Sequence, residues 1–183
     1  MRQLRSPVFV VAGALLATAC AGPTTISAVK DVDLERFDGT WYDVASFPQS
    51  FQDGCHCTTA TYTLRDNGEV GVLNRCRKGS VDGELSEATA RAYLPDPDKP
   101  GELKVEFLWP FAADYWVIDL GTPDVGEYTH AVVSEPGQQY LWILSRAPEM
   151  NRTTYDEILG WLVDQGFDTG RLQAVEHQGC PSD

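Results

Sequence analysis

Asp33-Leu34-Glu35-Arg36-Phe37-Asp38-Gly39-Thr40-Trp41-Tyr42 and, far downstream, Tyr140-Leu141-Trp142-Ile143-Leu144-Ser145-Arg146 decide how this chain folds. They read as the two ends of one closed β-barrel. Gly39 lets the backbone run close to the bulky indole of Trp41, which plugs the narrow end as the first strand begins. Arg146, leaving the last barrel strand, can lay its guanidinium on that ring and donate to nearby carbonyls, a cation–π closure of about 0.5–2 kcal/mol.

Between the two segments, strand signals recur at short intervals with turn chemistry separating them. The expected strands are Thr40–Phe47, Cys57–Leu64, Glu69–Arg77, Leu85–Leu94, Leu103–Phe107, Asp114–Leu120, Tyr128–Ser134 and Gln139–Ser145. Leu103-Lys104-Val105-Glu106-Phe107 alternates apolar and polar, as a strand with one buried and one wet face does. Asn67-Gly68 suits a tight hairpin in which both central positions take positive φ. Pro95, Pro97 and Pro100 remove amide donors, so that stretch is a turn. After Arg146 the period changes. Tyr155, Ile158, Leu159, Leu162 and Val163 form one helical stripe, with Thr154 and Glu157, or Thr153 and Asp156, as a capping box and Gly166 as the stop. Leu172–Glu176 reads as a short added strand.

The two framing segments together resemble the lipocalin family, and the Tyr-Leu-Trp-Ile-Leu-Ser-Arg string is most similar to its bacterial members and the apolipoprotein D group. The resemblance runs from Asp31 to the C-terminus. It implies an all-β fold: a closed eight-stranded antiparallel up-and-down barrel with one C-terminal α-helix packed outside. Such a barrel is just wide enough to hold one small ligand. Strand alternation places Asn74, Val105, Phe107, Tyr115, Val117, Tyr140 and Trp142 on inward positions, and the resemblance singles out Asn74, Tyr115 and Trp142 as facing ligand. Filling the closed end is the other role open to Tyr140, Trp142 and Leu144. Trp109-Pro110-Phe111 belongs at the open end, as an aromatic lip or as packing against the rim.

Residues 1–19 have the layout of a signal peptide: Arg2 and Arg5, an apolar run from Val8 to Ala17, and Ala17-Thr18-Ala19-Cys20 as a cleavage site ending in cysteine. The lipoprotein reading makes Cys20 a lipidation site, with residues 20–30 as a tether and 31–183 as the domain; an ordinary secretory signal or an uncleaved anchor is the alternative. More than one acyl chain gives stable anchoring. Ala21 in place of Asp favours the outer membrane. The chain of 183 residues carries a net charge of −13, or −15 once Arg2 and Arg5 are removed, which disfavours nucleic acid and anionic lipid as partners.

Cys55, Cys57, Cys76 and Cys180 form an even set in an exported chain, which suggests disulfides, and spacing leaves three connectivities open. Cys57-Thr58-Thr59-Ala60-Thr61-Tyr62 resembles the second strand of the apolipoprotein D group, in which that cysteine bonds the tail. The resemblance thus favours Cys57–Cys180 and leaves Cys55–Cys76. Cys55-His56-Cys57 could begin a metal site only with help from Cys76, His130 or His177, and export favours oxidation of the thiols instead. No nucleophile elbow or phosphate loop occurs, and no cofactor is implied. The reading is a membrane-anchored carrier of small hydrophobic ligands, fatty acids or lysophospholipids. A lipocalin-type isomerase or lipid-modifying enzyme using His130 or Tyr115, and a scaffold with an incidental cavity, are the alternatives. A homodimer is compatible with all three.

Overall fold

The computed structural model describes residues 25–121 and 126–181. Cys20, the signal segment and the first part of the tether lie outside the described residues. A single helical turn, α1 (Leu34–Phe37), leads into β1 (Gly39–Ser46). There follow β2 (Cys55–Leu64), β3 (Val70–Lys78), β4 (Glu84–Tyr93), β5 (Glu102–Leu108), β6 (Phe111–Leu120), β7 (His130–Ser134) and β8 (Leu141–Ser145). Each pairs antiparallel with the next, and β1 closes the ring by pairing with both β8 and β2. Helix α2 (Arg152–Asp164) and a two-residue strand β9 (Gln173–Ala174) complete the chain.

Alternation along the strands builds two cores. Trp41, Tyr62, Val72, Val117, Val133 and Leu144 pack inside the barrel. Ile118, Val132, Leu141 and Ile143 point outward, where Ile158, Leu162 and Phe167 cover them. The helix therefore buries its apolar stripe on the outer wall, as one amphipathic helix beside a sheet must. The covered face is narrower than the sequence stripe: it is centred on Ile158 and Leu162, and Val163 falls past its edge at 57% exposure. The cap also differs. Asn151 accepts from the amides of Thr153 and Thr154 at 2.9 and 3.3 Å, so it takes the place expected of the Thr154–Glu157 box. Gly166 ends the helix at φ 89°, and the Phe167 amide reaches back to the Leu162 carbonyl.

Two further differences have local causes. In the β2–β3 turn only Gly68 has positive φ, and Arg65 exchanges amide–carbonyl bonds with Gly68 and Glu69; this is a bulged turn rather than the two-residue turn expected from Asn-Gly. The segment read as a tether is already packed at Ile26, which is 4% exposed beneath α2, and the Val29 amide donates to the Val117 carbonyl.

Candidate functional site

The lower end is sealed by the groups that framed the sequence. The Arg146 guanidinium lies 4.0 Å from the Trp41 ring centroid. It donates to the carbonyls of Arg36, Asp38, Thr40 and Tyr128 at 2.7–3.3 Å. Gly39 holds φ 99°, and a Cβ there would meet Arg146 Nη1 at 3.1 Å, so the glycine makes room for the guanidinium rather than for the indole. Trp41 Nε1 donates to the Phe37 carbonyl at 2.9 Å. Burial pulls the Arg146 pKa down, and the nearby Glu127 and Asp38 carboxylates act against that.

Above the seal the interior is filled. Among the residues around the floor, including Val32, Phe37, Val70, Leu103 and Val117, an opening of only about 10 Å³ remains, no more than the space of one water. Strands β2 and β6 face each other across the eight-stranded ring, and Tyr62 and Tyr115 meet there hydroxyl to hydroxyl at 2.5 Å. Burial raises both phenols, Tyr62 to about 12. Val117 and Val105, expected to line ligand, belong to this packed interior at 1% and 6% exposure, which leaves Tyr115, Trp142 and Asn74 of the inward set nearer the open half.

Beside the tyrosines stands a carboxyl that the sequence reading passed over. Asp43 is buried; Ser46 Oγ and Gln52 Nε2 donate to its Oδ2 at 3.1 and 3.2 Å. Gln52 Oε1 in turn accepts from Trp142 Nε1 at 3.0 Å. Desolvation pushes Asp43 up to about 7, only partly opposed by those two donors. The signal that could have found it is alternation: Asp43 lies two residues after Trp41 and so shares its inward face.

The open end is apolar and loosely joined. Phe51, Leu85, Phe107, Leu108, Trp109, Phe111 and Tyr140 are exposed large hydrophobics, and all lie on the strand ends and loops opposite Trp41. Tyr140 stacks on Trp142 at 6.0 Å and faces Phe51 at 6.3 Å. Pairing of β4 with β5 covers only Arg91–Tyr93 against Glu106–Lys104, so the wall is unpaired above it, beside Phe107. Phe107 is thus a rim residue at 54% exposure rather than part of an enclosed lining.

Other candidates fall elsewhere. His130 sits at the lower end of β7 with Nε2 3.2 Å from Asp119 Oδ2, on the outward side of its inward neighbours Ala131 and Val133. It has no access to the cavity as an acid or base. Cys55 is bonded to Cys76 and Cys57 to Cys180, so the thiols of Cys55-His56-Cys57 go to different partners. No group of three or more metal-ligating side chains occurs among the described residues. None of the described helices is long and apolar enough to cross a membrane.

A barrel plugged at one end by a stacked Trp–Arg pair, braced by one helix and open through an apolar rim defines a cup-shaped binding protein for small ligands. The profile of the Lipocalin-like domain matches residues 32–177, and the chain belongs to the lipocalin family. It is 37% identical to the outer membrane lipoprotein Blc of Vibrio cholerae over 93% of this chain and 98% of that protein. It is 27% identical to mouse apolipoprotein D over 83% and 80% of the two chains. Among solved structures, insecticyanin from the tobacco hornworm Manduca sexta superposes with a TM-score of 0.65 at 20% identity, covering 84% of this chain and 85% of that one. Family membership and the barrel together support binding of small hydrophobic ligands.

Proposed function

We propose that this lipocalin stores or carries single-chain amphiphiles, fatty acids or lysophospholipids, in the upper half of its barrel, and that lipidated Cys20 holds it at the outer membrane. The observation that carries the reading is the placement of exposed apolar side chains: of the eight exposed large hydrophobics described, all but Val163 ring the mouth. A clustering of exposed apolar side chains at one end of the barrel marks a site of interaction with apolar partners. The likeness to an outer membrane lipoprotein and the Ala17-Thr18-Ala19-Cys20 string support the anchor.

A long-chain fatty acid or lysolipid is expected to quench Trp142 fluorescence with about micromolar affinity, near −8 kcal/mol. Each buried methylene supplies about 0.8 kcal/mol toward it. Ala88 is exposed and shares the inward face of β4 with Ala90 and Ala92, so Ala88→Trp should narrow the upper barrel without disturbing the floor. The variant should lose binding about tenfold or more. Undiminished binding would put the ligand outside the barrel. Separately, Cys20→Ala should move the protein into the soluble fraction, and unchanged membrane fractionation would remove the anchor from the proposal.

A further inference from the structure

The buried side-chain polar atoms without a hydrogen-bond partner among the described residues are Asp43 Oδ1, Gln49 Nε2 and Oε1, and Thr58 Oγ1. Buried polar atoms are almost always paired, so orphans gathered in one region call for a partner. Their residues are 3%, 8% and 7% exposed. Gln49 and Thr58 line a cleft of about 380 Å³ beneath the loop of residues 47–54. The cleft follows from the register of β1. Its lower half, Gly39–Tyr42, pairs with β2, but Ala45 and Ser46 pair with Ala174 and Gln173 of β9 instead, so β1 and β2 part below that loop. Ser46 and Gln52 line the same cleft and are the two donors to Asp43 Oδ2. The carboxyl therefore stands directly behind the cleft wall, with Oδ1 unclaimed.

We propose that this cleft is a head-group subsite, and that it takes the polar end of a single-chain amphiphile bearing a hydrogen-bond donor, a primary ammonium or a hydroxyl, in preference to a free carboxylate. Asp43 does not itself border the cleft, so a donor reaches Oδ1 where the Ser46 and Gln52 side chains turn aside, and an ammonium there also supplies the positive charge that the buried carboxyl lacks. A ligand carboxylate brings only acceptors to a site whose strongest unpaired group is itself an acceptor. The titratable groups packed around Asp43 do not alter this. Tyr62 of β2 and Tyr115 of β6 are phenols that burial keeps neutral. His177 engages the Asp43 backbone carbonyl at 2.8 Å. At the outer edge, Lys78 Nζ donates to the Asp53 carbonyl, and Arg171 lies 4.2 Å over the Phe47 ring. Trp142, bonded to Gln52, places a fluorophore one residue away from the subsite.

The inference rests on the reading of the barrel as an amphiphile carrier. Its test uses three probes of one chain length, dodecylamine, 1-dodecanol and dodecanoate, below their solubility and micelle limits, with the intrinsic tryptophan fluorescence of the full chain at pH 8. Dodecylamine should bind at least about tenfold tighter than dodecanoate, with the alcohol between them. Asp43→Asn should bring the amine and the carboxylate to within about twofold, and Gln49→Leu with Thr58→Val should weaken amine and alcohol together. Equal binding of all three probes by the wild-type protein overturns the subsite and leaves the carrier reading standing, as does an amine preference that survives Asp43→Asn. Quenching by none of the three overturns the carrier reading and the subsite with it. Carboxyl-carbon NMR of the wild-type protein gives a measurement independent of the variants: saturating dodecylamine should lower the Asp43 midpoint by at least about one pH unit. An unmoved midpoint with bound amine overturns the proposal.

Discussion

The two ends of the barrel are built from the same alternating strands and differ in how completely their polar groups are matched. At the floor, one guanidinium covers an indole and satisfies four carbonyls, and the space left over is about 10 Å³. At the mouth, β1 leaves β2, β4 leaves β5, aromatic side chains stand in the open, and three buried polar residues are left with unpaired atoms. A fully matched end can only hold the fold together. An end with unmatched apolar and polar groups has free energy to gain from a ligand, so stability and binding are assigned to opposite ends of one small barrel.

Removing the plug gives the sharpest contrast between the two ends. Trp41 is fully buried, and Trp41→Ala should cost about 3–5 kcal/mol, read as a lower denaturant midpoint. A loss no larger than that of a surface change would mean that the floor does not support the barrel. Arg146→Ala should cost about 1–3 kcal/mol, because it removes the stacking cation and leaves carbonyls unpaired. Lysine at 146 should not restore it, since an ammonium lacks the planar fork that reaches several carbonyls at once.

Asp43, on the binding side of the comparison, should respond with the opposite sign. Burial raises its pKa from 3.8 to about 7, so between those values the folded protein keeps a proton that the unfolded chain has lost. Stability therefore falls as pH rises across that window and is flat above it. Asp43→Asn should remove the slope and stabilise the protein by about 1–3 kcal/mol at pH 8, with no difference below about pH 4. An unchanged slope in thermal unfolding from pH 4 to 8 would mean that Asp43 does not stay protonated in the fold. The smallest effect belongs to the rim. Trp109→Ser is expected to shift stability by less than about 0.5 kcal/mol, because a side chain at 78% exposure has little packing to lose. A larger loss would show that the rim is packed like the floor.

The closure and the strand order were legible because each depends on local pattern. Gly39, Trp41 and Arg146 are chemically distinctive, and strand alternation specifies which side chains share a face. The pocket was less legible. Val105, Val117 and Phe107 satisfy the same alternation as Trp142, yet two are packed into the interior and one stands at the rim, because position along the barrel axis depends on where neighbouring strands stop pairing. Asp43 shares an inward face with Trp41, but its chemistry comes from Ser46 and Gln52 folding back over it, which no period of two records. The helix cap moved to Asn151 because side chains with nearly equal local capacity compete for the same amides, and the path into α2 decides among them.

By itself, the sequence determined an eight-stranded antiparallel barrel with a Trp–Arg seal, a helix with one apolar face and an even set of cysteines, because each is written in residue type and spacing. Only the tertiary structure decided which inward side chains are core and which border open space, that His130 faces away from the cavity, and that the unpaired polar atoms of Asp43, Gln49 and Thr58 gather in one region. Those outcomes depend on strand register and on where β1 exchanges β2 for β9, and register is a relation between distant segments that no single segment carries.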